Sequence, residues 1–369
     1  MNNLNFCLDA ISSSFEFIKL LQNDNKYTFK PSLKGVTVQG SELKLGFSTF
    51  GLKMYYMNGE WDNLDISEKE DWYEYINSFQ KTLPNIPKNS FVDDVMYRFY
   101  IENNINEKIK DVIKNILNLF PKYSFDDNKT KFLKAINAET KQALSSLHQV
   151  GFKSAKNYVP QHKSPEQILN YLDSLDWRKP WTSGAQYASL CVYSTIYLND
   201  NKECLKKFSD YIVDKETGSY FKHKPDHSRE IINGAMKMLS GFDWIDYEIH
   251  YPEKLIDYCL DNSPIIEGCD VVDFLYVLYR CSKQTNHKKQ EILNKMNESI
   301  EEIKKLYHQE SGGFSYYKNK SQTHYYGLEI TSGFNTPDIH GTLLCTWALL
   351  MILDLNGELN KSRYKIIKP

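Results

Sequence analysis

Along this chain, stretches that are apolar on nearly every side of a helix alternate with stretches that are apolar on one face only. A helical pattern opens it (Phe6, Ala10, Ile11, Phe15, Phe17, Ile18, Leu21), and a short piece with alternating Val36 and Val38 reads as extended. An apolar helix then runs from Leu43 to Met57 and stops at Asn58-Gly59. Ser67 followed by Glu68 and Glu70 predicts the cap and first turn of an amphipathic helix through Trp72, Tyr75, Ile76 and Phe79. Ser90 predicts another start, through Phe91, Val95, Met96 and Phe99, before a lysine-rich amphipathic helix from Glu107 to Phe120.

The alternation continues to the end. A helix from Thr130 to Val150 precedes an exposed one opened by Ser164-Pro165-Glu166, with serine as cap and proline in the first helical position. Ser183 to Leu198, Arg229 to Leu239 and Asp270 to Cys281 are the less polar members; Glu203 to Val213, Pro252 to Leu260 and Lys288 to Tyr307 are the amphipathic ones. The last helix, in the run Pro337 to Ile352, has a polar first turn with Asp338 and His340 and is then apolar all round, the signature of a buried helix.

Less polar helices begin near 43, 91, 132, 184, 231, 270 and 338. A spacing of about 40 to 50 residues means stacked helical hairpins. An apolar helix paired with an amphipathic one implies two concentric layers, the inner covered on all sides. Hairpins that close on themselves leave no open end to cap. The expected fold is all-α: a single α/α toroid of about six helical hairpins over 41–369, after an N-terminal helix and extended lead-in over 1–40.

Composition narrows the functions. A formal charge of −2, from 45 basic and 47 acidic residues well mixed, gives no footprint for nucleic acid or anionic membrane. No apolar run reaches the roughly 20 residues of a membrane span, and the first residues lack a secretory pattern. Seven scattered cysteines without a CxxC pair suit buried, reduced thiols, so a cytoplasmic location is expected. The 26 Tyr, 19 Phe and 6 Trp either pack helices together or wall a wide pocket suited to sugars or isoprenoid chains.

Two turns carry a family likeness. Asp214-Lys215-Glu216-Thr217-Gly218-Ser219-Tyr220-Phe221 and Gln309-Glu310-Ser311-Gly312-Gly313-Phe314-Ser315-Tyr316 resemble the glycine–aromatic repeats of the terpenoid cyclase and protein prenyltransferase superfamily. His340-Gly341-Thr342-Leu343-Leu344-Cys345 is similar to the histidine-bearing inner helix of prenyltransferase β subunits. The resemblance covers about residues 165 to 355. It implies a toroid acting by acid/base chemistry on an isoprenoid that is cyclised or transferred. The chain departs from that superfamily in lacking an Asp-x-Asp-Asp motif, and Cys269 and Asp273 replace the Asp-x-Cys order of the prenyltransferase zinc site.

Candidate chemistry sits at the starts of the less polar helices. Asp270, Asp273 and Asp338, with His340, are the candidate catalytic residues, since clustered acids push each other's pKa values apart into a donor and a base. Asp270 and Asp338 also suit helix starts as plain dipole partners. Asp273 lies inside an apolar run, where an unpaired charge is costly; Arg280 is a distant candidate partner. Trp177, Arg178 and Trp181 form either a stacking platform with an anion-binding rim or a packed corner. Glu139 could face the pocket, and the long loop 316–336 would close on substrate through Tyr325, Tyr326 and Glu329. No cofactor is expected; the alternative is zinc on Cys269, Asp273 and His340. A glycan-active enzyme (hydrolase, lyase or modifier of polysaccharide) is the alternative function, and a non-catalytic scaffold the third. The partner is therefore a small-molecule or oligosaccharide substrate.

Overall fold

The computed structural model describes residues 3–102, 126–264 and 267–369. Among them, twelve long helices carry the architecture. They are α1 (Asn3–Leu21), α2 (Leu45–Met57), α3 (Ile66–Asn77), α4 (Asn128–Gln149), α5 (Pro165–Ser174) and α6 (Pro180–Ile196). After these come α7 (Lys202–Ile212), α8 (Ser228–Ile245), α9 (Pro252–Asp261), α10 (Cys269–Ser282), α11 (Lys289–Lys304) and α12 (Ile339–Leu355). Two short helices (Val38–Glu42 and Asp94–Tyr97), a π turn over Arg98–Glu102 and three two-stranded hairpins complete the described secondary structure, apart from brief 3-10 turns. The chain is all-α, as the alternation predicts.

Side-chain caps decide where several helices begin. Asp65 accepts from Glu68 N at 2.7 Å while the Glu68 carboxylate accepts from Asp65 N at 3.2 Å, so the cap of α3 lies two residues before the Ser67 expected from sequence. A capping aspartate ahead of the serine had already taken the free N–H groups. Asp127 caps α4 through Thr130 N, and Ser164 caps α5 through a reciprocal pair with Gln167. The turn after α7 closes on the Asp214 carboxylate, which accepts from Thr217 N and Oγ1, and Gly218 takes the left-handed conformation (φ +74°) that a side chain would resist.

Burial separates two layers. In α2 the run Leu45 to Met54 is buried without a break, and in α12 every residue from Ile339 to Leu353 is buried except His340. By contrast α3 buries only Trp72 and Ile76, and α11 buries a stripe at Ile292, Met296, Ser299, Ile300 and Ile303. Each apolar side chain fully buried contributes about 1.5–3 kcal/mol, so the inner helices hold the core.

The inner helices close a ring. α2 packs on α4, α4 on α6, α6 on α8, α8 on α10, α10 on α12, and α12 returns to α2. Outer helices pack against these: α1 on α12 and α2, α7 on α6, α9 on α10, α11 on α10 and α12. The first helix thus takes its place among the outer ones.

Two local expectations differ. No inner helix starts near 91: Ser90–Phe91 pairs with Gln80–Lys81 as a hairpin, and Asp93 caps only the short helix 94–97. The six inner helices are therefore one fewer than the seven less polar starts read from sequence. Val38, read as extended, begins a short helix capped by Thr37. The lysine-rich helix expected over 107–120 lies outside the described residues. Among the described residues no helix is long and apolar enough to cross a membrane.

Candidate active site

A hollow of about 610 Å³ occupies the centre of the ring and is lined from all six inner helices. Phe50 and Lys53 come from α2, Lys141 and Gln142 from α4, Trp181 and Ser189 from α6. Lys237 comes from α8, Cys269 and Asp273 from α10, and His340 and Trp347 from α12. Tyr316, Gln322, Tyr325 and Tyr326 wall it from the loop between α11 and α12, and Ile367 and Pro369 also reach it.

Asp273 is the acid on the inner-helix wall of this space, and Asp126, paired with Lys134, also lines it. Asp273 is 1% exposed, and its Oδ2 has no hydrogen-bond partner. Lys237 Nζ, on the neighbouring inner helix, lies 3.8 Å from Oδ1. Burial raises the carboxyl to about 7; Lys237 opposes that rise, and Asp270 adds to it. The partner expected from sequence, Arg280, instead bonds Asp243.

His340 lies half-buried between two rings, stacked on Phe50 at 4.7 Å between centroids and tilted against Tyr316 at 5.1 Å. Its Nδ1 is 3.1 Å from Gln322 Oε1. A carbonyl oxygen there calls for the Nδ1–H tautomer, which leaves the Nε2 lone pair open. Burial, then Lys237 and Lys53, push the imidazole down to about 3, so it is neutral at physiological pH.

Asp338 holds the wall in place. Its carboxylate accepts from Gly341 N at 2.8 Å, capping α12, and from Tyr316 N at 2.7 Å and Gln322 N at 3.0 Å, both on the loop. Burial raises it to about 6 against these three bonds. Gly341 allows the approach: a Cβ there would stand 2.4 Å from Tyr316 N. Behind Tyr325, Glu139 accepts from its hydroxyl, keeps Oε2 unpartnered, and is raised by burial to about 8.

Other residues singled out from sequence are placed differently. Asp270 is bound by Arg229 Nε at 2.7 Å and Asn233 Nδ2 at 2.7 Å, and Arg229 lies over the Trp181 ring at 5.3 Å. Trp177 is buried against Phe208 with its Nε1–H on Leu172 O at 2.8 Å, the packed-corner alternative. Arg178 is exposed and paired with Asp176 at 2.8 Å. Glu329 is exposed on the hairpin 324–329 and does not line the hollow, whereas Tyr325 and Tyr326 do. Cys269, with its Sγ 3.0 Å from Tyr316 Oη, shares the wall with Asp273 and His340. Among the described residues, however, no group of three His, Cys, Asp or Glu is disposed to hold a metal ion, so the zinc alternative lacks its ligand set.

Sequence reading missed Lys53, Lys141, Lys237 and Tyr316. The signal that drew attention to Asp273, a charge inside an apolar run, is equally present at Lys53 (Phe50-Gly51-Leu52-Lys53-Met54) and Lys237 (Ala235-Met236-Lys237-Met238). A further hollow of about 560 Å³ opens between α4, α5 and α6, but neither Asp273 nor His340 reaches it.

No protein-family model matches this chain, and no curated protein matches it significantly. A solved polysaccharide lyase is similar over 95% of this chain and 98% of its own, at 11% identity and a TM-score of 0.45. At that distance the likeness bears on neither substrate nor reaction. None of these comparisons bears out the resemblance to the terpenoid cyclase superfamily; what stands is the helical ring.

Proposed function

We propose that the ring is an acid/base enzyme acting on a glycan in its central hollow, with Asp273 as proton donor and His340 as proton acceptor. The observation that supports this most is the pairing of two groups in one walled space. One is a carboxyl still substantially protonated near neutrality; the other is an imidazole that is neutral there and has Nε2 open. Groups separated in this way divide the two proton transfers between them. Trp181, Tyr316 and Tyr326 offer ring faces on which sugar rings stack, and Gln142, Gln186, Ser189 and Gln322 offer hydroxyl partners. An isoprenoid chain would want an apolar wall, which this lining interrupts with lysine, histidine and amide groups. A scaffold would fill its centre.

The test is turnover on a panel of neutral and acidic oligosaccharides and prenyl diphosphates, read by mass spectrometry of the products. Asp273→Asn and His340→Gln should each lower the rate by about 10²–10³-fold on the oligosaccharide that reacts. Turnover confined to prenyl diphosphates, or full activity in both variants, would sink the proposal.

A further inference from the structure

We infer that the hollow is a cradle for negatively charged groups on its ligand, carboxylates or sulfate esters of a glycan, with Lys53, Lys141 and Lys237 as the cradle. That the ligand is a glycan rests on the reading above; that it is anionic rests on the charges alone. Among the described residues, Lys53, Lys134, Lys141 and Lys237 line the hollow with two side-chain carboxylates, Asp126 and Asp273. This excess of positive charge sits inside a chain whose net charge is −2. Lys134 is satisfied by Asp126 at 2.7 Å, and Lys237 reaches Asp273 only at 3.8 Å. Lys53, 91% buried by its 9% exposure, and Lys141 form no ion pair among the described residues.

Lys53 is buried without a countercharge, which is costly, and the half-buried Lys141 and Lys237 lie close enough to repel it. Burial first and then the neighbouring lysines lower Lys53 to about 8 and Lys141 to about 7. An arrangement that works against stability is retained where a ligand brings the missing countercharge, and low-dielectric walls concentrate the field that draws it in. Filling the cradle would also serve the proton transfers. Lys237 and Lys53 both hold down His340, and Lys237 opposes the rise of Asp273. A bound anion that cancels those charges makes the imidazole a stronger base and keeps the carboxyl protonated.

Calorimetric titration of the full chain with four probes tests this. The probes are a polygalacturonate oligomer, a sulfated dextran oligomer, a neutral dextran oligomer of the same length, and inorganic pyrophosphate. At least one acidic oligomer should bind about 10-fold or more tighter than the neutral one and weaken as salt is added. Lys53→Met, Lys141→Met and Lys237→Met should each loosen that binding about 10-fold, and Lys53→Met should also raise the melting temperature, since it removes a buried, unpaired charge and keeps the chain length. Equal affinity for neutral and acidic oligomers, unchanged binding in all three variants, or no binding of any charged probe overturns the cradle; the first of these leaves the glycan reading standing. Pyrophosphate bound in a lysine-dependent way, with no oligosaccharide bound, supports the cradle and removes the glycan.

Discussion

Asp273→Asn makes a prediction whose sign depends on pH. The carboxyl moves from an ordinary 3.8 to about 7 on folding, and the side chain is fully enclosed. Between those two values the folded protein holds a proton that the unfolded chain has released. Stability therefore falls as pH rises from about 4 to 7 and stays at its lower level above that. Roughly three pKa units at 1.36 kcal/mol each give a cost of about 4 kcal/mol at pH 8, net of the attraction to Lys237. For 369 residues, an unfolding entropy of about 2.1 cal/mol/K per residue converts this to about 5 °C. Asparagine cannot ionise, so it escapes the cost. Thermal melts of both proteins from pH 4 to pH 8 should coincide at the acid end and diverge until Asp273→Asn melts about 5 °C higher at pH 8. Parallel curves, or a variant less stable than the parent at pH 8, would refute the argument and make the Lys237 contact a net stabilising pair.

Two further substitutions test the junction between loop and helix. Gly341→Ala places a methyl group against backbone, 2.4 Å from Tyr316 N and 2.5 Å from Ser315 C, so the loop must retreat from α12. A loss of about 3 kcal/mol, near 4 °C in melting temperature, is expected, and an unchanged melt contradicts it. Asp338→Ala strands the three N–H groups its carboxylate now receives. At about 1–3 kcal/mol for each orphaned donor, the melt should drop by several degrees, and limited proteolysis should begin within 316–336. Protection of that loop equal to the parent's would show that other contacts hold it.

How much could be read in advance depended on the kind of interaction. Burial periodicity is local, so the alternation of covered and half-covered helices was legible, and with it the all-α hairpin architecture. The exception was residues 90–99: an apolar cluster short enough for a strand and a single turn looks, from composition, like the start of a helix. Asp273 stood out as a charge inside an apolar run, and His340 as a first-turn residue of the buried last helix; both line the hollow. Lys53 and Lys237 gave the same signal in their own runs and passed unnoticed, because a lysine on a helix is usually taken for a solvated one.

What the chain order alone determined is the repeat and its two layers, since a helix stripe is written in residues three and four apart. Which side chains face one another was decided only when α12 met α2. That closure puts Lys53 and His340 at the same hollow from opposite ends of the chain, and gives Asp273 a partner on α8 in place of one on its own helix. Electrostatic character is set by distances across the ring and by the exclusion of water. Neither quantity exists until the ring is shut, so a carboxyl poised near 7 beside Lys237, with Lys53 and Lys141 unpaired on the same hollow, is a property of the folded enclosure.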